Sequence, residues 1–323
     1  MLDFKNIVLE LIPKKPEVSV VKIKGIIMEI KKVVIPVAGK GTRFLPATKE
    51  VPKELIPIIN KPMIQYVVEE AIYSGIEEVI FVTSPGKEAI EGYFSRNEKL
   101  ENFLLEKKKH DELDMCRKIG EMISFKTVIQ EEQLGLGHAI LCAEKLIGDE
   151  NFGVILGDDL ILSKRPVLGQ LMDISKKNGN GSVIGVMEIN SNETKKYGVI
   201  SGKPLEDDPK TFKLNAMVEK PEPLKAPSNL ATPGRYIFSP DIFRFLKEIK
   251  LGVGGEYQLT DAINLFCKEK DFFAHIFSGD RFDTGNIHGY LDATLDFALR
   301  NNDTRDAMTL IIKDKIRRYN LNI

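Results

Sequence analysis

The sequence predicts an α/β protein, doubly wound around a mainly parallel sheet, and two patterns lead there. From residue 31 onward, strand-like segments alternate with helix-like segments, the order that builds parallel sheets through helical crossovers. Several of the strands are unbroken apolar runs, as required where helices cover both faces of a sheet.

Taken in order, KKVVIPVAG is an apolar strand, GKGTRFLPATKEVPKE a long loop bearing glycine and lysine, and KPMIQYVVEEAIYSG a helix closed by Gly75. EEVIFVT is the next strand and KEAIEGYF a helix, followed by a charged helical insertion over 98–121 that reads as a solvated face. ISFKTVI, HAILCAEKL and NFGVILGDD continue as strand, helix and strand, the last ending in acid. A helix to Lys177, a Gly-Asn-Gly turn at 179–181, and strands near 182–188, 197–201 and 211–218 come next, then the strand GRYIFS. Ser239 followed by Pro240 predicts a helix start, with a cap and a proline at the first helical position. Two helices, near 286–300 and 303–318, close the chain. The organisation expected is an N-terminal extension over 1–30, a catalytic domain over 31–285, and C-terminal helices over 286–323.

Residues 1–30 mix short apolar runs with Lys and Pro, and two readings stand: translation starting at Met28, or an added β-hairpin or disordered arm. Neither brings recognisable chemistry.

The charge balance is 46 basic against 47 acidic residues, a net of −1, which argues against a protein built to neutralise nucleic acid or an anionic membrane. Cys116, Cys142 and Cys267 lie far apart with no Cys-x-x-Cys pair, so neither a zinc site nor a disulfide framework is indicated. A reducing compartment, the cytoplasm, fits that usage. The apolar stretches near the N-terminus are too short for a signal core or a membrane span.

Ligands of open parallel sheets bind beyond the carboxyl ends of the strands. The first such loop, Ala38-Gly39-Lys40-Gly41-Thr42-Arg43, is neither a Walker loop nor a dinucleotide fingerprint, since Phe44 stands where the third glycine would be. Two glycines still let backbone N–H groups approach a phosphate, and Arg43 adds a planar fork for its oxygens. Lys49 and Lys53 follow on the same loop. Taken alone, the loop reads equally well as a glycine turn with solvated cations. Asp158 and Asp159 sit at the end of a strand, where a hard-cation ligand belongs, and Asp283 in RFDTGN is a candidate second ligand. Capping is the plainer role of each.

GKGTRFLPATKEVPKELIPIINKPMIQYVVEEA, QEEQLGLGHAILCAE, LGDDLIL, YGVISG, VEKPEPLKAPSNLATPGRYIFS, GGEYQLTDAI and FDTGNIHGYLDATLDFALRN occur in this order. Together they resemble the bacterial UTP–glucose-1-phosphate uridylyltransferase family, over about residues 31 to 302. The resemblance implies a nucleotidyltransferase fold with a smaller sugar-binding β region, dependence on Mg2+, and UDP-glucose and pyrophosphate as products. It also implies that Ala38, Gly39, Gly41 and Glu54 contact the nucleotide, and that Arg43 and Lys53 bind the triphosphate. Gln130 would read the uracil edge, donating to O4 and accepting from N3–H, with Gly135 and Gly137 allowing close backbone approach. His138 is assigned no catalytic role. Gly198, Glu219, Lys220 and Gly234 match positions for the hexose phosphate, and Asp158 and Asp283 match the metal acids. Adjacent strand residues point to opposite faces, so Glu219 and Lys220 share a ligand only if the chain bends, for which Pro221 and Pro223 are the expected cause. Many relatives carry arginine where this chain has Ile129, and some carry proline where it has Gly157.

The chemistry implied is in-line attack of glucose 1-phosphate on the α-phosphorus of UTP, helped by magnesium, Arg43, Lys53 and Lys220 through positioning and charge. The alternatives are thymidylyl transfer to the same sugar phosphate, or a weakly catalytic paralogue that binds nucleotide sugars and regulates a partner. In the closing helices Leu291, Leu295, Ala298 and Leu299, and Met308, Ile311, Ile312 and Ile316, fall at helical spacing. Packing within the subunit is the default reading of such stripes, but the resemblance implies subunit contacts, hence a homodimer or homotetramer.

Overall fold

The protein is described here from a computed structural model covering residues 29–321. The readings made for residues 1–28 lie outside the described residues.

The chain enters on β1 (Lys32–Pro36), crosses a loop of three 3-10 turns, makes the small hairpin β2 (Pro57–Ile58) and β3 (Lys61–Pro62), and continues into α1 (Met63–Tyr73). Strand β4 (Glu78–Thr83) leads to α2 (Glu88–Phe94), α3 (Glu98–Glu106) and α4 (His110–Gly120), then to β5 (Ser124–Ile129). Helices α5 (Leu136–Cys142) and α6 (Glu144–Ile147) precede β6 (Phe152–Ile155), β7 (Asp159–Leu162) and α7 (Val167–Lys177). Next come β8 (Ser182–Glu188), the long hairpin β9 (Gly198–Leu205) and β10 (Asp208–Glu219), β11 (Leu230–Thr232) and β12 (Arg235–Phe238). The chain closes with α8 (Ile242–Glu248), α9 (Leu259–Glu269), β13 (Phe272–Ile276), β14 (Asp280–Asp283), α10 (Ile287–Arg300) and α11 (Asn302–Tyr319).

Ten strands form one sheet in the order β11-β9-β10-β13-β8-β12-β6-β1-β4-β5. The parallel pairing expected from the sequence holds for β6-β1-β4-β5 and for β8 with β13. Across the sheet as a whole, however, the pairing is mixed: β12 is inserted antiparallel between β6 and β8, and β9, β10 and β11 join antiparallel. GRYIFS carries no mark of direction, because a strand buried on both faces looks the same either way.

The apolar runs are explained by the two faces. Val33 and Ile35 belong to a core with α1 and α7, and Val34 to a core with α5, α8 and α9; all three are fully buried. Each such side chain contributes about 1.5–3 kcal/mol on burial. Helix α1 presents Met63, Ile64, Val67, Val68 and Ala71 to the first core, and Gly75, at φ 95°, ends it.

Two expectations need adjustment. The turn after β12 opens at Ser239, whose carbonyl accepts from Ile242, but the Ser239 hydroxyl donates to Asp241 and the helix proper starts at Ile242. Helix α10 packs into its own subunit through Ala293, Phe297 and Ala298, with Phe297 edge-on to Tyr66 and Phe282. Leu291 and Leu295 are exposed, at 57% and 40%, while Ala298 of the same expected stripe is buried. Helix α11 has no buried residue among those described.

Candidate active site

The loop after β1 lies beyond the carboxyl ends of β1 and β4. The carbonyl of Ala38 accepts from Gln133 Nε2 at 2.7 Å and from Ser84 Oγ at 3.2 Å, and that of Gly41 accepts from Thr48 Oγ1 at 2.8 Å. The amides of Gly39, Lys40 and Gly41 have no acceptor among the described residues, so they are what an anion would meet. Lys53 folds back under Gly39 and pairs with Oδ2 of Asp158. Burial favours a neutral lysine, but Asp158 and Glu54 outweigh it and raise the pKa of Lys53. Burial likewise pushes the Asp158 carboxyl up, and Lys53, with Arg43 nearby, reverses this and holds it below its ordinary value. Arg43 itself is exposed.

Glu54 lies deeper than the expected nucleotide contact. It is 1% exposed and accepts from Lys87 Nζ at 2.9 Å, and Lys87 also donates to the Val37 carbonyl, so what Glu54 offers is support of the loop. Burial raises the pKa of Glu54 and lowers that of Lys87.

Asp283 reaches the same place from β14. A Cβ built on Gly285 would stand 2.7 Å from Asp158 Oδ2 and 3.2 Å from Asp283 Oδ1, so the two carboxylates converge over this glycine. Thr284 Oγ1 donates to the Asp158 carbonyl at 2.7 Å, tying the strands together. Asp159 is paired in register with Asp283, whose Oδ2 lies 3.8 Å from Arg281 Nη2, and Asp159 holds the same guanidinium more closely. Its carboxylate takes Arg281 in a fork, Nε at 3.0 Å from Oδ1 and Nη2 at 2.5 Å from Oδ2. Arg281 Nη1 in turn donates to Tyr197 Oη at 2.6 Å. Beneath lies Arg235, fully buried, bonded to Glu70 at 2.7 Å and to the Asp159 carbonyl at 2.6 Å.

At the base end, Gln130 directly follows β5 and is 4% exposed. Its Nε2 lies 3.2 Å from the Gly135 carbonyl and 3.0 Å from His138 Nδ1, so the donors expected for uracil O4 are engaged within the chain, and Oε1 has no donor among the described residues. The closeness that requires glycine at 135 and 137 is to another segment of the chain. A Cβ on Gly135 would be 2.7 Å from Glu256 Cβ, and one on Gly137 would be 2.6 Å from the Tyr257 carbonyl. Gly137 N bonds that carbonyl at 3.0 Å and Tyr257 N bonds Leu134 at 2.7 Å, so the GGEYQL segment is stitched to the base loop.

At the sugar end, Glu219 and Lys220 do lie together, with Nζ 3.3 Å from Oε1. The bend is at Lys220 itself, at φ 46°, before either proline. Its N–H bonds the Tyr197 carbonyl at 3.0 Å, which holds the left-handed turn against its steric cost. Glu219 Oε2 accepts from Thr260 at 2.8 Å and lies 3.4 Å from where a Cβ of Gly198 would be. Gly234, at φ 104°, has Leu156 at 2.4 Å from its missing Cβ.

The Nucleotidyl transferase family model matches residues 32–299. The UTP–glucose-1-phosphate uridylyltransferase of Bacillus subtilis is 45% identical over 280 residues, 87% of this chain and 95% of that protein. The chain belongs to the UTP–glucose-1-phosphate uridylyltransferase family. Among solved structures, a UTP-bound UDP-glucose pyrophosphorylase from Acinetobacter baumannii superposes with TM-score 0.81 at 36% identity, covering 88% of this chain and 99% of that one. A UDP-glucose pyrophosphorylase complexed with UDP-glucose superposes with TM-score 0.75 at 44% identity, covering 83% and 98%.

Within the family motifs, several residues that shape this site escaped the reading of the sequence. Gln133 lies inside QEEQLGLGHA and Thr260 inside GGEYQLTDAI, so the signal was present but the partner was not visible; His138 was given no catalytic role, and its bond to Gln130 was likewise invisible. Arg281, the first residue of RFDTGN, and Arg235, in GRYIFS, join charges 122 and 165 residues away in sequence. No local pattern encodes such pairs.

Proposed function

We propose that the chain transfers a uridylyl group from UTP to glucose 1-phosphate, giving UDP-glucose and pyrophosphate. The observation that carries this reading is the convergence of Lys53, Asp158 and Asp283 beyond the strand ends, in a chain alike over its catalytic length to relatives named for that reaction. Thymidylyl transfer is not favoured, since these relatives carry the uridylyl name. The reading as a regulatory paralogue lacks the loss it needs, because Arg43, Lys53 and Asp158 are all in place.

A glucose 1-phosphate whose second pKa is near ~6 is mostly dianionic at neutral pH, so it needs no general base to attack the α-phosphorus. What the protein must supply is alignment and relief of repulsion between two anions. The free amides of Gly39 to Gly41 and the cations Arg43 and Lys53 receive the triphosphate, while Glu219 takes sugar hydroxyls and Lys220 the sugar phosphate. Gln130 Oε1 meets the uracil N3–H.

The donor set fits magnesium. Two carboxylates meet over Gly285, where no side chain fills the space, and among the described residues no cluster of three or more His, Cys, Asp or Glu could hold an ion alone. That is the habit of an ion that binds through one or two carboxylates plus substrate phosphates. Asp158 and Asp283 are the proposed holders, and Asp159, committed to Arg281, is not one. When bound, the ion supplies neutralisation of phosphate charge.

Residues 31–285 are proposed as the catalytic unit, and the exposed leucines of α10 with α11 as the contact of a homodimer or homotetramer. Three free cysteines support a place in the cytoplasm, and among the described residues no helix is long and apolar enough to cross a membrane. Pyrophosphate release with UTP, dTTP, GTP and CTP against glucose 1-phosphate tests the reading. Turnover preferring dTTP, or none with UTP, sinks it.

A further inference from the structure

We propose that His138 orients the amide of Gln130 and thereby sets which pyrimidine the nucleotide pocket accepts. The inference rests on Gln130 being the base reader.

The orientation of the amide is fixed by chemistry. The Gly135 carbonyl can only accept, so the end of the Gln130 side chain 3.2 Å from it must be the NH2. That same nitrogen lies 3.0 Å from His138 Nδ1. Nδ1 must therefore accept, which places the ring proton on Nε2, the nitrogen that lies 3.9 Å from Cys142 Sγ. The ring is held in the first turn of α5, tilted toward Tyr257 with centroids 6.1 Å apart.

With both amide hydrogens engaged, Oε1 has no donor among the described residues. The side chain is 4% exposed, so the group it turns to the pocket is a single, nearly buried acceptor. Uracil presents a donor at N3 and satisfies it. Cytosine presents a lone pair at N3, and two facing acceptors with no water between them are costly. Without His138 Nδ1 the amide is held by one long bond to Gly135, and it can turn to offer its NH2 to cytosine.

The experiment measures kcat/KM for UTP and CTP, with glucose 1-phosphate saturating, in the full chain and in His138→Leu, His138→Asn and Gln130→Ala. His138→Leu is expected to lower the UTP-to-CTP ratio about tenfold, with the KM for glucose 1-phosphate unchanged. His138→Asn, whose Oδ1 stands near the position of Nδ1, is expected to keep the ratio. Gln130→Ala separates the two readings. If it collapses the ratio while His138→Leu does not, Gln130 reads the base and the orienting role is overturned. If it leaves the ratio intact, the base-reading assignment fails and takes this inference with it. An equal loss for both nucleotides in His138→Leu makes the ring merely structural and also overturns the proposal. Should His138→Leu fail to fold, 15N spectra of the histidine rings in the unaltered protein, assigned against His138→Asn, decide the matter: a bare Nδ1 is expected, and a protonated Nδ1 refutes it.

Discussion

The ammonium of Lys53 is bonded to Oδ2 of Asp158, so the cation proposed for the triphosphate and the carboxylate proposed for magnesium form one ion pair. On those proposals nucleotide handling and metal handling are coupled through a single oxygen. Lys53→Met is expected to lower kcat/KM for UTP by about 10²–10³-fold, the usual effect of removing one charge-stabilising donor. Asp158→Asn and Asp283→Asn should each remove most turnover with the fold intact. Pyrophosphate release across a magnesium titration, beside a thermal melt, checks all three; a near-normal Asn variant is not missing a ligand.

Arg235 has no exposed surface, and its Nη1 has no hydrogen-bond partner among the described residues, so its charge depends on Glu70 and on Asp159, whose Oδ1 is 3.6 Å away. Removing one member leaves the others buried and uncompensated. Arg235→Met is expected to cost about 3–5 kcal/mol in urea unfolding. A loss below about 1 kcal/mol would mean that water or a rearranged side chain takes over.

His275 gives a pH dependence away from the site. Burial lowers its pKa below the ordinary 6.5, opposed by Asp208 and aided by Lys210. The Thr211 hydroxyl donates to Asp208 at 2.7 Å, so His275 Nδ1, 2.8 Å from the same oxygen, acts as the donor to it. Below about 6.5 the unfolded chain takes up a proton that the folded chain resists, so stability falls as pH drops through this range. The stability of the unaltered protein relative to His275→Gln should therefore decrease from pH 7.5 to 5.5, by parallel denaturant titrations. A constant difference refutes it.

Cutting the chain after Asn302 removes α11, none of whose described residues is itself buried, so the remaining fold should melt at nearly the same temperature. Assembly should weaken. Sedimentation of both forms at micromolar concentration decides it, and a full-length monomer, or unchanged assembly after truncation, rejects the subunit contact.

What the sequence made legible was local. Val33 to Ile35 announced a doubly covered strand because three adjacent apolar residues have no other economical arrangement, and the glycine loop and strand-end acids followed from where strands stop. The bend at Lys220 was misattributed to the prolines after it, because a left-handed lysine leaves no compositional trace. The glycines at 135 and 137 were read as facing the ligand, whereas Glu256 and Tyr257, more than a hundred residues on, press against them. The four-charge group of Glu70, Asp159, Arg235 and Arg281 stayed invisible for the same reason: tertiary pairing has no period.

The insertion of β12 between β6 and β8 has a mechanical consequence. It joins the strands that lead to Asp158 and those that lead to Glu219 in one continuous hydrogen-bonded sheet. Any closure over substrates is therefore expected at the rims: the glycine loop, the Lys220 turn and the GGEYQL segment. That last segment is bonded to the base loop, whose Gly135 carbonyl accepts from the Gln130 side chain, so a displacement on the side of Glu256 is expected to reach Gln130 through that loop.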